Sequence, residues 1–469
     1  MRCGCVLCVR LDAETVVHGA ILPRRSLHEH QVVYNRCMAL PIAAADPDTS
    51  VDMLANGVRV VTIRLPHLQS ASVSVFVRTG SRHESRRLNG ISHVVEHMAF
   101  KGTHARSCQR INLDAERLGA EVNAHTDKDH TAYHMRGLGR DAGRFVQMLG
   151  DIVQGSTFPE AELERERQVI LHEYVEDEED ALASAFRLFD KTCFGSHPLA
   201  QPVIGTRGNI QRFTSADLLG YVAQQYTGAN VIVGAAGNVD PDEVLREAQS
   251  AFGAFPPGSA NTVAAPAHLG GVASHRQAGC SQTHVVMGFP IPTLTEDHHA
   301  GLVAAALFGE GMSSPLMDEI RERRGLVYYA ACSADVGDLA GQFVIEASTS
   351  PEQLDEFFAQ VPRLLAAQAE GVDPVGLERA RNQIAVRGLH TLERPYRRLE
   401  DAAQDLFVHG RVRPRAELTA RVEAVTADQV RDAFERMLSQ RAAVAIAGTV
   451  RQGATERARA HFKAHFKAL

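Results

Sequence analysis

The chain is 469 residues long, with 45% hydrophobic residues, 22% charged residues and a formal net charge of -7. That length exceeds one ordinary core and calls for two or more domains, while the mild acidity and the lack of a basic stripe interleaved with aromatics exclude nucleic acid as an expected partner. No uninterrupted apolar run reaches the ~18 residues that a membrane span needs, so no membrane partner is expected.

Residues 1–48 lack sustained periodicity and read as a disordered N-terminal extension. They have no convincing secretory signal. Arg2, Arg10, Arg24, Arg25 and Arg36 leave an organellar presequence open, although Asp12, Glu14 and Glu29 weigh against it, and Met38 is an alternative start. Cys3, Cys5 and Cys8 cluster there without a second cluster to complete four ligands, and read as part of an unstructured tail. Cys37, Cys108, Cys193, Cys280 and Cys332 are scattered, as free thiols in a reducing compartment would be.

Residues 57–63 and 73–77 are β-branched and partly alternating, which predicts two strands. Next comes Asn89-Gly90-Ile91-Ser92-His93-Val94-Val95-Glu96-His97-Met98-Ala99-Phe100. On a helix, Ile91, Val94, Val95 and Met98 form an apolar stripe, and His93, Glu96 and His97 line the adjoining face. Two histidines four apart can reach one divalent ion, and Glu96 beside them can work on water bound to it. The pattern H-x-x-E-H reverses the H-E-x-x-H zinc motif. Random placement would give it roughly 0.07 times in a chain of this composition, so the rest of the sequence must arbitrate.

A second helix is predicted over 109–118, then strands over 120–125 and 131–138 around an Asp127-Lys128-Asp129 turn. A long helix opens near Pro159 and runs toward Phe189, with Glu166 and Glu173 on one face. The acidic run 176–180 reads as a solvated surface. Thr214 or Ser215 caps another helix, and 230–236 reads as an apolar strand. The Pro-, Gly-, Ala- and Ser-rich stretch from 257 to 274 reads as a linker. Beyond it the first half echoes: 116–124 parallels 322–330 at an offset of 206 (322 minus 116), and 214–217 parallels 426–428 at an offset of 212 (426 minus 214). Residues 301–308 fall where the metal-motif helix would be, and hold neither histidine nor glutamate. The expected organisation is α+β, with two homologous α/β-sandwich domains over 49–256 and 275–455, each an antiparallel-rich sheet covered by helices, and a helical tail over 456–469.

A catalytic zinc site usually has three protein ligands and an open position. His93 and His97 give two; His125, His130, His134 or a carboxylate of the acidic helix are candidates for the third, and spacing alone does not choose. The glycine-rich Gly309-Glu310-Gly311 lacks the remainder of a phosphate loop.

With these residues in hand, the chain resembles the insulinase and pitrilysin family of zinc metallopeptidases, in a short bacterial or mitochondrial-processing-peptidase-like form, from about residue 51 to 450. The resemblance implies Glu173 as the third zinc ligand, 76 positions after His97, with Glu166 seven residues earlier as a further catalytic-site acid. It implies that 119–126 is an edge strand on which substrate lies, with Asn123 and Ala124 contacting it. It also implies that Arg321 and Tyr328 bind substrate and help stabilise the tetrahedral intermediate from the metal-free half. Pro315 departs from the family at a position where arginine is common. The implied function is a zinc endopeptidase, one Zn2+ per chain, cleaving peptides or unfolded polypeptide with water activated by Glu96. The alternative is a non-catalytic peptide-binding partner subunit. Chains of this length form half of a clam-shell, so a homodimer or a heterodimer with a related chain is expected. The expected location is the bacterial cytoplasm, with the mitochondrial matrix and periplasm open.

Overall fold

The computed structural model describes residues 46–463. The expected N-terminal extension up to residue 45, with Met38, Cys37 and Cys3, Cys5 and Cys8, and residues 464–469 of the expected helical tail lie outside the described residues. Six strands form the first sheet: β1 (Thr49–Met53), β2 (Arg59–Arg64), β3 (Ser70–Val77), β4 (Glu121–Thr126), β5 (Thr131–Leu138) and β6 (Val231–Gly237). Their order is β1-β2-β6-β3-β5-β4; β2 and β6 run parallel and the other pairs are antiparallel. The helices of this half are α1 (Ile91–Ala99), α2 (Cys108–Arg117), α3 (Ala142–Gly155), α4 (Glu160–Glu179), α5 (Ala181–Phe194), α6 (Arg207–Arg212), α7 (Ser215–Gln225) and α8 (Pro241–Phe252).

The second sheet contains β7 (Gly271–Arg276), β8 (Thr283–Ile291), β9 (Val327–Val336), β10 (Gly341–Thr349) and β11 (Ala443–Gly448), in the order β7-β11-β8-β10-β9. Here too one pair, β7 with β11, is parallel and the rest are antiparallel. Its helices are α9 (His299–Gly309), α10 (Leu354–Glu370), α11 (Pro374–Leu392), α12 (Pro395–His409), α13 (Arg415–Glu423), α14 (Ala427–Ser439) and α15 (Ala454–Lys463). Without β1, the first sheet repeats the strand order and the single parallel pair of the second. The repeat extends to the caps: Thr214 with Asp217 and Thr426 with Gln429 form capping boxes on α7 and α14. The expected pair of α+β domains with helix-covered, mostly antiparallel sheets is what the chain forms.

β6 and β11 are buried along their whole length, so both faces of each sheet are covered. One face packs against helices of its own half. The other is covered by a helix from the opposite half. Leu399, Ala402, Ala403 and Leu406 of α12 pack on Val61, Ile63, Phe76 and Ile232 of the first sheet, while Ala185, Phe189 and Phe194 of α5 pack on Val286, Ala443 and Ala445 of the second. This exchange explains a departure from the sequence reading. The single helix expected from Pro159 toward Phe189 is broken at Asp180, whose ψ of 111° is extended and whose carboxylate accepts from the Leu182 and Ala183 N–H groups to cap α5. The break frees α5 to cross to the other sheet. Three smaller differences follow the same packing. β1 is an additional edge strand, β7 begins within the last residues of the expected linker, and α15 buries Ala454, Ala458 and Phe462 in the second core.

Candidate metal centre

α1 buries the expected stripe of Ile91, Val94, Val95 and Met98 against the first sheet. Its N-terminus is fixed by a carboxylate that the sequence reading missed. Glu84, buried to 2% exposure, accepts hydrogen bonds from Gly90 N–H (2.7 Å), Ser92 N–H (2.8 Å) and Asn89 Nδ2 (3.0 Å). It satisfies N–H groups that the first turn leaves without intrahelical partners. Burial raises the Glu84 carboxyl above the ordinary range, and these hydrogen bonds pull it back down in part. Ser92 Oγ meets the buried Tyr221 hydroxyl at 2.8 Å, and Tyr221 reaches Thr79 at 2.6 Å. Gly90, at φ 96°, abuts Gly205: a Cβ on Gly205 would lie 2.5 Å from Gly90 Cα.

α4 packs beside α1 and brings two of its acids to the histidines. Glu173 Oε2 lies 3.7 Å from His93 Nε2 and 3.3 Å from His97 Nε2. One donor atom from each of His93, His97 and Glu173 falls within 4.8 Å of the other two. Ligand atoms on a tetrahedral zinc lie ~3.3 Å apart, so these spacings suit a shared ion, and two imidazoles with a carboxylate form a known catalytic zinc donor set. His93 is pushed down to about 4, by burial first and by the neighbouring His97 ring second, so near neutral pH it is the uncharged base that a metal requires.

Glu166 takes the other side of His97. Its Oε2 is 3.3 Å from His97 Nδ1, and its Oε1 is paired with Lys101 Nζ at 2.6 Å. A carboxylate on Nδ1 holds the proton there and leaves Nε2 to face Glu173. Glu166 therefore contacts His97 and Lys101 and is not among the residues that line the cleft beside Glu96. Glu96 lines a cleft of about 500 Å³ together with His93 and Thr126. Burial raises its carboxyl above the ordinary range, with a hydrogen bond to Thr126 acting in the opposite sense.

Among the described residues β4 is an edge strand, with β5 as its one neighbour. Asn123 is exposed on it, and its side-chain oxygen accepts from Ala124 N–H at 2.8 Å. Among the described residues, His125 and His130 group with Asp127 and not with the His93–His97 pair, and His134 joins neither group. Arg321 lies in the helical turn Met317–Arg323, with Glu322 at 3.9 Å, and Tyr328 is 81% exposed on β9. Among the described residues, neither forms a hydrogen bond or ion pair with His93, His97 or Glu173. Besides Glu84, the sequence reading overlooked Lys101, and it included Thr126 only as the last residue of the expected substrate strand. An acid a few residues ahead of a helix start is the one local signal that pointed to Glu84.

Comparison with known proteins completes this picture. The family profile described as "Insulinase (Peptidase family M16)" matches residues 59–207, and that of "Peptidase M16 inactive domain" matches residues 212–384. A Mycobacterium bovis protein named an uncharacterized zinc protease is 33% identical over 427 residues, covering 88% of this chain and 95% of the relative. Cytochrome b-c1 complex subunit 1 of Bos taurus is 30% identical over 424 residues, covering 87% of each. The crystal structure of a protease from Helicobacter pylori shares the fold with a TM-score of 0.78, at 21% identity over 85% of this chain and 99% of that one. The two-domain fold and the matches along both halves show that this chain belongs to the insulinase family, peptidase family M16.

Proposed function

We propose that this chain is a zinc-dependent endopeptidase that hydrolyses peptides or unfolded polypeptide segments. The observation that carries the reading is the convergence of His93 and His97 from α1 with Glu173 from α4, beside a cleft that Glu96 lines. Zinc held by these three side chains would supply a Lewis acid for the scissile carbonyl and lower the pKa of water. Glu96 accepts the proton of the attacking water and passes it to the leaving amine. Glu166 keeps His97 in the tautomer that presents Nε2. The β4 edge binds an extended peptide by main-chain hydrogen bonds, with Ala124 N–H made available when Asn123 swings to the substrate. Arg321 and Tyr328, both exposed, contribute substrate contacts and oxyanion stabilisation from the metal-free half.

Two such chains, as a homodimer or as a heterodimer with a related chain, would form a clam-shell that admits unfolded segments and excludes folded domains. Among the described residues no helix is long and apolar enough to cross a membrane. Bacterial relatives named zinc proteases support a place in the bacterial cytoplasm. The likeness to a cytochrome b-c1 subunit favours one rival, a non-catalytic partner subunit. Retention of His93, Glu96, His97 and Glu173 together supports catalysis over that rival. Incubation of the zinc-loaded protein with a peptide library, with products mapped by mass spectrometry, tests the reading. Internal cleavages abolished by a chelator are expected. A library left intact by zinc-loaded protein would favour the rival.

A further inference from the structure

A second cluster of metal-ligating side chains lies on the opposite face of the same edge strand. Ala124 faces the core beneath α1, whereas the next residue, His125, pairs with Ala132, which packs on the side covered by α12. There His125 Nε2 lies 3.7 Å from Glu400 Oε1, and His130 Nε2 lies 3.5 Å from Glu400 Oε2. These distances are too long for good hydrogen bonds and near the ~3.3 Å between two ligand atoms of one zinc ion. Each ring faces a different oxygen of Glu400, whereas His93 and His97 share Oε2 of Glu173. His130 Nε2 and Glu400 Oε1 are buried and, among the described residues, have no partner in good hydrogen-bond geometry. The outer nitrogens, in contrast, are engaged: Asp127 Oδ2 lies 3.1 Å from His130 Nδ1, and the Tyr396 hydroxyl lies 3.1 Å from His125 Nδ1. A histidine that ligates a metal through one nitrogen characteristically gives its other N–H to a carboxylate or another polar oxygen. A cavity of about 210 Å³ lined by Asp127, His130 and Glu400 adjoins the cluster.

We propose that His125, His130 and Glu400 hold a second divalent transition-metal ion of the zinc class, which fastens the β4–β5 hairpin of the first half to α12 of the second. Asp127 and Tyr396 orient the two imidazoles. The donor set of two imidazoles and a carboxylate suits zinc and its transition-metal neighbours over calcium or magnesium.

The test is a metal count on the full-length chain, stripped by chelator, dialysed against buffered Zn2+ and checked for folding by circular dichroism. About two ions are expected on the wild type and about one on the His93→Ala/His97→Ala variant, which keeps this cluster. Adding His125→Ala or Glu400→Gln to that variant is expected to remove the remaining ion. Tyr396→Phe, which deletes only a hydroxyl, is expected to weaken that ion's binding roughly 10-fold. If His125→Ala or Glu400→Gln fails to fold, the Tyr396→Phe affinity decides. One ion on the wild type and none on the His93→Ala/His97→Ala variant would overturn the proposal and leave His130 as an ion-paired imidazole between Asp127 and Glu400. Retention of the second ion at full affinity through all three cluster substitutions would overturn it as well.

Discussion

At the scale of single residues, each imidazole of the candidate centre has one nitrogen facing Glu173, and what differs is the other nitrogen. His97 has Glu166 on Nδ1, whereas His93 Nδ1 is buried without a partner among the described residues. Glu166→Gln replaces a carboxylate by an amide that draws the Nδ1 proton less strongly, and is expected to weaken zinc binding ~10- to 100-fold in a chelator competition titration. An unchanged affinity would remove Glu166 from the support of the centre. His83, in the turn that leads to Glu84, is pushed down to about 3, by burial first and then by Arg82 and Arg78. Its ring accepts from Gly80 N–H at 3.2 Å and is held neutral. Below its ordinary 6.5 the unfolded chain takes up a proton that the folded chain refuses. The contribution of the neutral ring is therefore complete above pH 6.5 and is lost as pH falls toward 3. Urea unfolding of His83→Asn should show an acid-side loss smaller than that of the wild type by roughly 2–4 kcal/mol, after allowance for the ring's partial exposure.

At the scale of elements, α1 was legible because its chemistry and its packing share one helical period: Ile91, Val94, Val95 and Met98 buried, His93, Glu96 and His97 beside them. Glu166 and Glu173 were legible as two acids on one helix face, but their link to α1 came only from the family resemblance, since spacing carries no information on which helices pack together. Glu84 and Gly205 stayed hidden for a related reason. The demand for Gly205 comes from Gly90, far away in sequence, and appears only when the two backbones meet. Gly205→Ala tests that contact. At φ 84° its Cβ would lie 2.5 Å from Gly90 Cα and 2.6 Å from the Asn89 carbonyl oxygen. A loss of about 2–3 kcal/mol is expected in denaturant unfolding, with reduced zinc retention because the start of α1 must move. Full stability and full zinc retention would show that the α1 start tolerates displacement.

At the scale of the whole molecule, the sequence reading ran α5 on from α4 and made no prediction over 395–409, and the exchange of α5 and α12 between halves depends on contacts that periodicity does not specify. The internal repeat was legible through its caps and glycines, and the matching strand orders give it structural form. An ion-pair cluster on Asp338 is among the contacts that join the halves. Arg82, at 4% exposure, meets Asp338 of the β9–β10 turn at 2.5 Å and Asp129 at 2.7 Å, and Arg78 meets Asp338 at 3.1 Å. Deleting one partner of a buried pair typically costs 3–5 kcal/mol, and Asp338→Ala should cost about 2–3 because Asp129 still compensates Arg82. Chemical denaturation measures this, and a change below ~0.5 kcal/mol would mean that the cluster does not hold the halves together.

The central claim is that the α1–α4 centre is hydrolytic and that Glu96 moves the proton. It is tested most directly by quenched-peptide cleavage with wild type and Glu96→Gln, each assayed for zinc. The account predicts that both proteins hold one zinc ion more than His93→Ala/His97→Ala does, and that Glu96→Gln cleaves ~10²- to 10⁴-fold more slowly. Zinc-loaded wild type that cleaves nothing, or a Glu96→Gln protein that cleaves at the wild-type rate, would contradict it.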